Sequence, residues 1–213
     1  SLKGQEGFIY NNYCMGSGSE RNYFSDFNGK KCDAIRQELE KLYKDKEIDK
    51  HQYNYFLASF INSIDKYANT VSIYGAFLKS LKKRAEKNFK LELLPIIKGN
   101  KKGKVYNEDV NSLIKKVKGD ILCLDPPYNT RQYSTNYHLL ETISKYDNLV
   151  IKGKTGLRAC NKQKSKFCSK PQVNQVFEEL ISNADFKYIF LSYKDEGLMK
   201  LEDIKRILEK YGE

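Results

Sequence analysis

The sequence predicts an α/β fold in its later half, a parallel sheet, preceded by a mainly helical region. Two apolar runs, Ile121–Leu124 and Tyr188–Leu191, have the length and composition of strands buried on both faces. Amphipathic helical periodicity fills the interval between them, as a parallel crossover requires. Ahead of residue 99 the chain reads as mostly helical. The break Gly99-Asn100-Lys101-Lys102-Gly103 divides the two patterns, giving regions 1–98 and 99–213.

In order, the polar, glycine-dotted entry from Gly4 to Gly29 reads as an irregular loop, with turn formers at Gly16-Ser17-Gly18-Ser19 and Asn28-Gly29. Cys32, Ile35, Leu39 and Leu42 recur at helical spacing. Tyr53, Phe56, Leu57, Phe60, Ile61, Ile64 and Tyr67 mark a stronger helix, and Phe77, Leu78, Leu81 and Ala85 a third, from about Tyr74 to Lys87. In the later region Val105-Tyr106 is expected to be a short strand. A helix through Val110, Leu113, Ile114 and Val117 follows, then the strand Ile121–Leu124. Beyond it lie a helix near His138 to Tyr146, a basic loop from Lys152 to Lys170 and a helix carrying Val173, Val176, Phe177, Leu180 and Ile181. The strand Tyr188–Leu191 and a last helix on Leu201, Ile204, Ile207 and Leu208 complete the order.

The chain of 213 residues has 38 Lys and Arg against 27 Asp and Glu, a formal charge of +11 and a pI near 9.2. Such a surface attracts polyanions, with affinity that salt weakens. Five cysteines, with no close CxxC pair, fit free buried thiols in a reducing cytosol, Cys123 inside its strand among them, so a cytoplasmic location is expected. With two histidines no metal site is expected. No apolar run approaches the roughly 18 residues of a membrane span.

The segment that carries chemistry is Asp125-Pro126-Pro127-Tyr128, at the carboxyl end of a strand, where open α/β sheets bind ligands. Two prolines fix the loop and remove two backbone donors, leaving acceptors. The Asp125 carboxylate and the Pro126 carbonyl can take both hydrogens of an exocyclic amine, aiming its lone pair at an electrophilic methyl group. Tyr128 offers a flat apolar face to a base, which must leave the duplex to reach it. A rigid strand-to-loop turn without chemistry is the bland alternative for the same residues.

The stretch Asp125-Pro126-Pro127-Tyr128-Asn129-Thr130-Arg131-Gln132-Tyr133-Ser134, continuing through Asn136-Tyr137-His138-Leu139-Leu140-Glu141-Thr142-Ile143, closely resembles type II adenine-specific DNA methyltransferases of restriction-modification systems, the Dam-like class with a recognition insert before this motif. Looser resemblance covers nearly the whole chain, including Ser17-Gly18-Ser19-Glu20-Arg21, Tyr74-Gly75-Ala76-Phe77-Leu78-Lys79 and Leu191-Ser192-Tyr193 with Glu196-Gly197-Leu198.

The resemblance implies part of a Rossmann-like, S-adenosylmethionine-dependent methyltransferase sheet in 99–213, with 1–98 as a helical recognition insert. It further implies methyl transfer to N6 of a flipped adenine in double-stranded DNA. Asp125, Pro126, Pro127 and Tyr128 would be catalytic, Asp125 also lying close to the cofactor's methyl group. Asp109 matches the acid near the cofactor's adenine, an N-cap being the alternative reading. Ser192 and Tyr193 could line the same cleft. DNA contacts are expected from Arg131 and from the basic tracts, at Lys82, Lys83 and Arg84 and at Lys162, Lys164 and Lys166. A cognate restriction endonuclease would be a functional counterpart.

The family's Phe-x-Gly-x-Gly donor loop and second-strand acid have no match in the chain. Gly16-Ser17-Gly18 is the nearest substitute, with no helix pattern directly after it. The chain is therefore expected to be truncated and inactive alone, with exposed sheet edges that favour homo-oligomers. A non-catalytic DNA-binding remnant and an N4-cytosine DNA methyltransferase are the alternatives.

Overall fold

The computed structural model describes residues 2–71 and 73–212, so the outer limits of the two expected regions, residues 1 and 213, lie outside the described residues. The helices are α1 (Phe8–Tyr13), α2 (Asp26–Lys44), α3 (Lys50–Tyr67), α4 (Val110–Leu113), α5 (Tyr133–Asn136), α6 (His138–Lys145), α7 (Val173–Ser182) and α8 (Leu201–Tyr211). The strands are β1 (Lys118–Leu124) and β2 (Asp185–Leu191). The chain divides into two compact units, Ser1–Lys98 with Tyr133–Asn161, and Gly99–Gln132 with Lys162–Glu213. The glycine-rich break at 99 is a boundary. The return of 133–161 to the first unit has no counterpart in the sequence-based division.

In the first unit α2 starts where the Ser25 hydroxyl accepts the Asn28 amide, and α3 starts in a reciprocal Asp49–Gln52 capping box. Ile9, Tyr13, Tyr23, Phe24, Phe60, Ile64, Leu139 and Ile143 pack into its core. Two charges are buried with them. The Asp33 carboxylate accepts the amides of Ile9 (2.9 Å) and Tyr10 (2.7 Å) at the start of α1 and the Tyr146 hydroxyl (2.7 Å). Burial holds its pKa above the usual carboxylate range. Arg36, one turn further along α2, pairs with Glu40 at 2.6 Å and donates to the Ile143 (3.1 Å) and Ser144 (2.8 Å) carbonyls at the end of α6.

Two expectations for this unit are corrected. The entry is not irregular throughout: it holds α1 and the first turn of α2, because Asp33, far along the chain, satisfies amides that the local pattern leaves open. The helix expected from Tyr74 to Lys87 does not form. Three buried asparagines occupy its backbone instead. The Asn22 side chain donates to the Leu78 and Lys79 carbonyls, and Asn69 donates to Leu78 and accepts from the Lys82 amide. Asn28 donates to Ala85 and Lys87 and accepts from the Phe89 amide. Backbone groups bonded to side chains are no longer offered to a helical ladder.

The second unit is built on β1 and β2, which pair in parallel with Ile121 opposite Tyr188, Leu122 opposite Ile189, Cys123 opposite Phe190 and Leu124 opposite Leu191. Leu122, Leu124, Ile189 and Leu191 pack with Val176, Phe177 and Leu180 of α7 and Ile204 and Ile207 of α8. The other face is open. Ile121, Tyr188 and Phe190 are 59%, 54% and 60% exposed and Cys123 is exposed, which corrects the expectation of strands and a thiol buried on both faces. Val105-Tyr106 forms no strand: Val105 is 97% exposed and has no apolar neighbour surface to justify pairing. The helix expected through Val117 is shorter, α4 tightening into a 3-10 turn at Ile114–Lys116 before β1. The basic stretch 152–170 contains an antiparallel bridge, Lys152 to Leu157, and 3-10 turns at Asn161–Gln163 and Lys166–Cys168, and it divides between the units after Asn161.

The architecture is mixed helix and sheet with a small parallel sheet. No helix among the described residues is long and apolar enough to cross a membrane. The five cysteines are free.

Candidate functional site

β1 ends at buried Leu124, and the two prolines that follow carry no amide to continue a ladder. The strand's last carbonyl is still used, accepting the Ser192 amide at 2.8 Å just past β2. The loop Asp125–Gln132 therefore leaves the carboxyl end of the sheet, and the structure pins it at further points. The Tyr128 carbonyl accepts the Leu198 amide at 3.0 Å. Asn129 folds back as an Asx turn, its side chain accepting the Arg131 amide at 2.9 Å. Gln132 exchanges two hydrogen bonds with Ser165, donating to its carbonyl at 3.1 Å and accepting its amide at 2.7 Å. The Cys168 thiol points at the Arg131 carbonyl.

What these anchors leave open is the chemistry. Among the described residues, no protein donor meets the Asp125 carboxylate or the Pro126 carbonyl, and Asp125 is exposed. The Tyr128 ring is 41% exposed on the same loop. Two adjacent acceptors and a half-open aromatic face, on a loop held by its neighbours, form a receptor for a planar group with an amine on its edge.

The Leu198 anchor depends on a close approach that the sequence reading did not use. A Cβ on Gly197 would stand 2.2 Å from the Tyr193 ring, so only glycine lets the turn fold over that ring. The Tyr193 hydroxyl in turn accepts the Met199 amide at 3.1 Å, and Ser192 is exposed at the strand end. Gln132 and Ser165 carried no local signal, because their partnership spans 33 positions.

Asp109 serves as N-cap of α4, one carboxylate oxygen accepting the Ser112 amide at 3.1 Å, and it is exposed. Gly16-Ser17-Gly18 follows a helix, not a strand. It forms a 3-10 turn whose Gly16 amide donates to Asp26 at 3.0 Å, and a Cβ there would meet the Asp26 carboxylate at 1.9 Å. That turn is a cap between α1 and α2 and not a donor loop.

Of the expected DNA-contacting cations, Arg131, Lys162, Lys164 and Lys166 are exposed in the second unit, where the Gln132–Ser165 pair holds their two segments together. Lys83 and Arg84 are exposed in the first unit. Lys82 is half-buried with its ammonium on the Thr70 carbonyl at 2.6 Å, so it serves the loop's own structure. Among the described residues no group of three or more His, Cys, Asp or Glu side chains is placed to hold a metal ion.

Residues 1–207 match the sequence model of a family described as D12 class N6 adenine-specific DNA methyltransferase. The chain is 53% identical over 211 residues to the type II methyltransferase M.NlaIII of Neisseria lactamica, covering 99% of this chain and 63% of that protein. It is 45% identical to the type II methyltransferase M.FokI of Planomicrobium okeanokoites, over 97% of this chain and 32% of the relative. It is 38% identical to the modification methylase StsI of Streptococcus sanguinis, over 91% and 30%. The chain thus spans less than two thirds of the length of these relatives. No solved structure matches it significantly.

Proposed function

The chain belongs to the D12 class of N6 adenine-specific DNA methyltransferases, and on that premise we propose that it carries the base-holding half of a site that methylates N6 of an adenine flipped out of duplex DNA. The observation that carries this reading is the pair of unoccupied acceptors, Asp125 carboxylate and Pro126 carbonyl, beside the half-exposed Tyr128 ring. An adenine amine donates one hydrogen to each acceptor. Its lone pair then lies away from both, and positive charge that develops on nitrogen is met by the carboxylate. Tyr128 stacks the base and Pro126-Pro127 hold the geometry without reorganising. The donors that fix this loop come from the backbone of 192 and 198 and from Ser165, so none competes for the two acceptors.

S-adenosylmethionine, when bound, would supply the methyl group. The residues present fit one edge of it: Asp109 spends one oxygen on its cap and keeps the other, exposed, as an acceptor for the adenosine end. On this reading β1 and β2 belong to the middle of a Rossmann-like methyltransferase sheet, the second unit is catalytic and the first contributes to recognition. Arg131 with Lys162, Lys164 and Lys166 would meet DNA phosphates, lysine clusters carrying little sequence information. The names of the relatives support a place in restriction-modification, in which a cognate endonuclease would be the functional counterpart.

The test is methyl incorporation from labelled S-adenosylmethionine into duplex DNA by the natural protein that carries this chain, with nucleoside analysis of the product. N6-methyladenine is expected. Asp125→Ala should lower turnover by about 10²-fold or more while DNA affinity stays within about twofold. A product of N4-methylcytosine would overturn the adenine assignment, and an active Asp125→Ala protein would overturn the role of the acid.

A further inference from the structure

After α6 the chain reverses through Lys152-Gly153-Lys154-Thr155-Gly156-Leu157. The ends pair with each other, Lys152 amide to Leu157 carbonyl at 2.9 Å and Leu157 amide to Lys152 carbonyl at 2.8 Å. Gly153 and Gly156 lie in the left-handed region, at φ 71° and 66°. At Gly156 a Cβ would also meet the Tyr13 ring at 2.7 Å and the Arg21 side chain at 3.0 Å, so glycine is required there twice over.

The turn has sorted its polar groups. Every carbonyl from Lys152 to Leu157 is occupied. Those of Lys152 and Leu157 are used in the bridge. Gly153 accepts from the Gly156 amide and from Arg21 (2.9 Å), and Lys154 accepts from Arg21 (3.3 Å). Thr155 accepts from the Tyr23 hydroxyl (3.1 Å), and Gly156 from the Tyr13 hydroxyl (3.0 Å). By contrast, the amides of Gly153, Lys154 and Thr155 donate to no protein acceptor among the described residues. Lys152 and Lys154 are exposed, and neither pairs with a carboxylate among the described residues.

Beneath the turn sits a third cation. Arg21 spends its guanidinium on three carbonyls, of Gly153, Lys154 and Asn12 (3.1 Å), and meets no carboxylate among the described residues, so its charge stands uncompensated. The nearby Arg158 differs, being neutralised by Asp147 at 2.8 Å. The surface that results offers free amide donors and positive charge, with every backbone carbonyl of the turn already engaged. That chemistry suits a ligand made of acceptors, and a phosphodiester, with its two non-bridging oxygens and no donor, is one.

We propose that the 152–157 turn is a preformed grip on the phosphate backbone of duplex DNA, with Arg21 as its positioning residue, shaping the turn and adding charge from below. The inference rests on the reading of DNA as the substrate. Phosphates carry no base identity, so this grip sets register on the duplex and leaves sequence reading to other groups.

The experiment is fluorescence anisotropy of the chain with labelled duplexes of several sequences across a salt series. Lys152→Gln with Lys154→Gln is expected to lower the slope of log affinity against log salt by about 1–2, and affinity at 0.1 M salt by about 10- to 100-fold, equally for every sequence. Lys44→Gln, at the far end of α2, serves as the control and should change neither. Arg21→Lys keeps the charge and should lower affinity while holding the slope, whereas Arg21→Gln should lower both. A double lysine variant with the wild-type slope would overturn the inference while leaving the methyltransferase reading intact. A wild-type chain that binds no duplex would overturn both. Equal slopes in Arg21→Lys and Arg21→Gln would overturn the part given to Arg21.

Discussion

His138 opens α6 with its side chain fully buried and neither ring nitrogen hydrogen-bonded. Burial lowers its pKa from 6.5 to about 4, against a smaller upward pull from the Tyr74 backbone and with a little help from the charge of Arg21, while the Tyr23 ring packs edge-on at 6.3 Å. Tyr13 and Tyr23, in the same core, are themselves pushed up by burial and stay neutral, so no anion is present to rescue an imidazolium. The sign follows: the unfolded chain takes up this proton near pH 6.5 and the folded one near pH 4. Stability contributed by the neutral ring is thus complete above about pH 6.5 and is lost as pH falls towards 4. Urea unfolding of the chain between pH 7 and 4 should show this loss, on the order of up to 3 kcal/mol, and His138→Phe should flatten the dependence. An unchanged slope in that variant would remove the histidine from the account.

At the scale of elements, helices with strong amphipathic spacing were legible: α2, α3, α6, α7 and α8 fall where Leu39, Phe60, Leu139, Phe177 and Ile204 recur on one side. Both strands of the sheet were legible too, from their short apolar runs. The segment 74–87 was not, although Phe77, Leu78, Leu81 and Ala85 imitate a helical face. Its conformation is dictated by asparagines 22, 28 and 69, which lie far off in sequence and use hydrogen bonds that no periodicity encodes. Asn28→Ala leaves the Ala85 and Lys87 carbonyls and the Phe89 amide without their partner and should cost about 2–4 kcal/mol, read as a lower denaturation midpoint at unchanged m-value. The candidate site divided in the same way. The acceptors at Asp125 and Pro126 follow from residue type, whereas the anchors at Ser165, Ser192 and Leu198 exist only once the chain has folded.

For the molecule as a whole, the sheet of the second unit is half clothed. α7 and α8 cover one face, and Ile121, Cys123, Tyr188 and Phe190 leave the other apolar and open. An exposed apolar sheet face with unpaired edges promotes association. Light scattering of the chain should therefore show mass that rises with concentration, and Ile121→Thr with Phe190→Thr should return it to the monomer. Because both side chains face solvent, that pair should change unfolding free energy by only about 0.5 kcal/mol each. Association that persists in the variant would place the contact elsewhere.

The buried Arg36 of the first unit has a consequence for how the chain is made. Arg36 leaves the ribosome with α2, but the Ile143 and Ser144 carbonyls it needs follow 107 and 108 positions later. At translation rates of about 5–20 residues per second the guanidinium waits on the order of 5–20 s for them. During that interval Glu40, one turn along the same helix, can pair with the charge, but the two carbonyls that take its other donors are missing, so the docking of α2 stays incomplete and open to chaperones. Slow codons between positions 40 and 140 would lengthen this exposure.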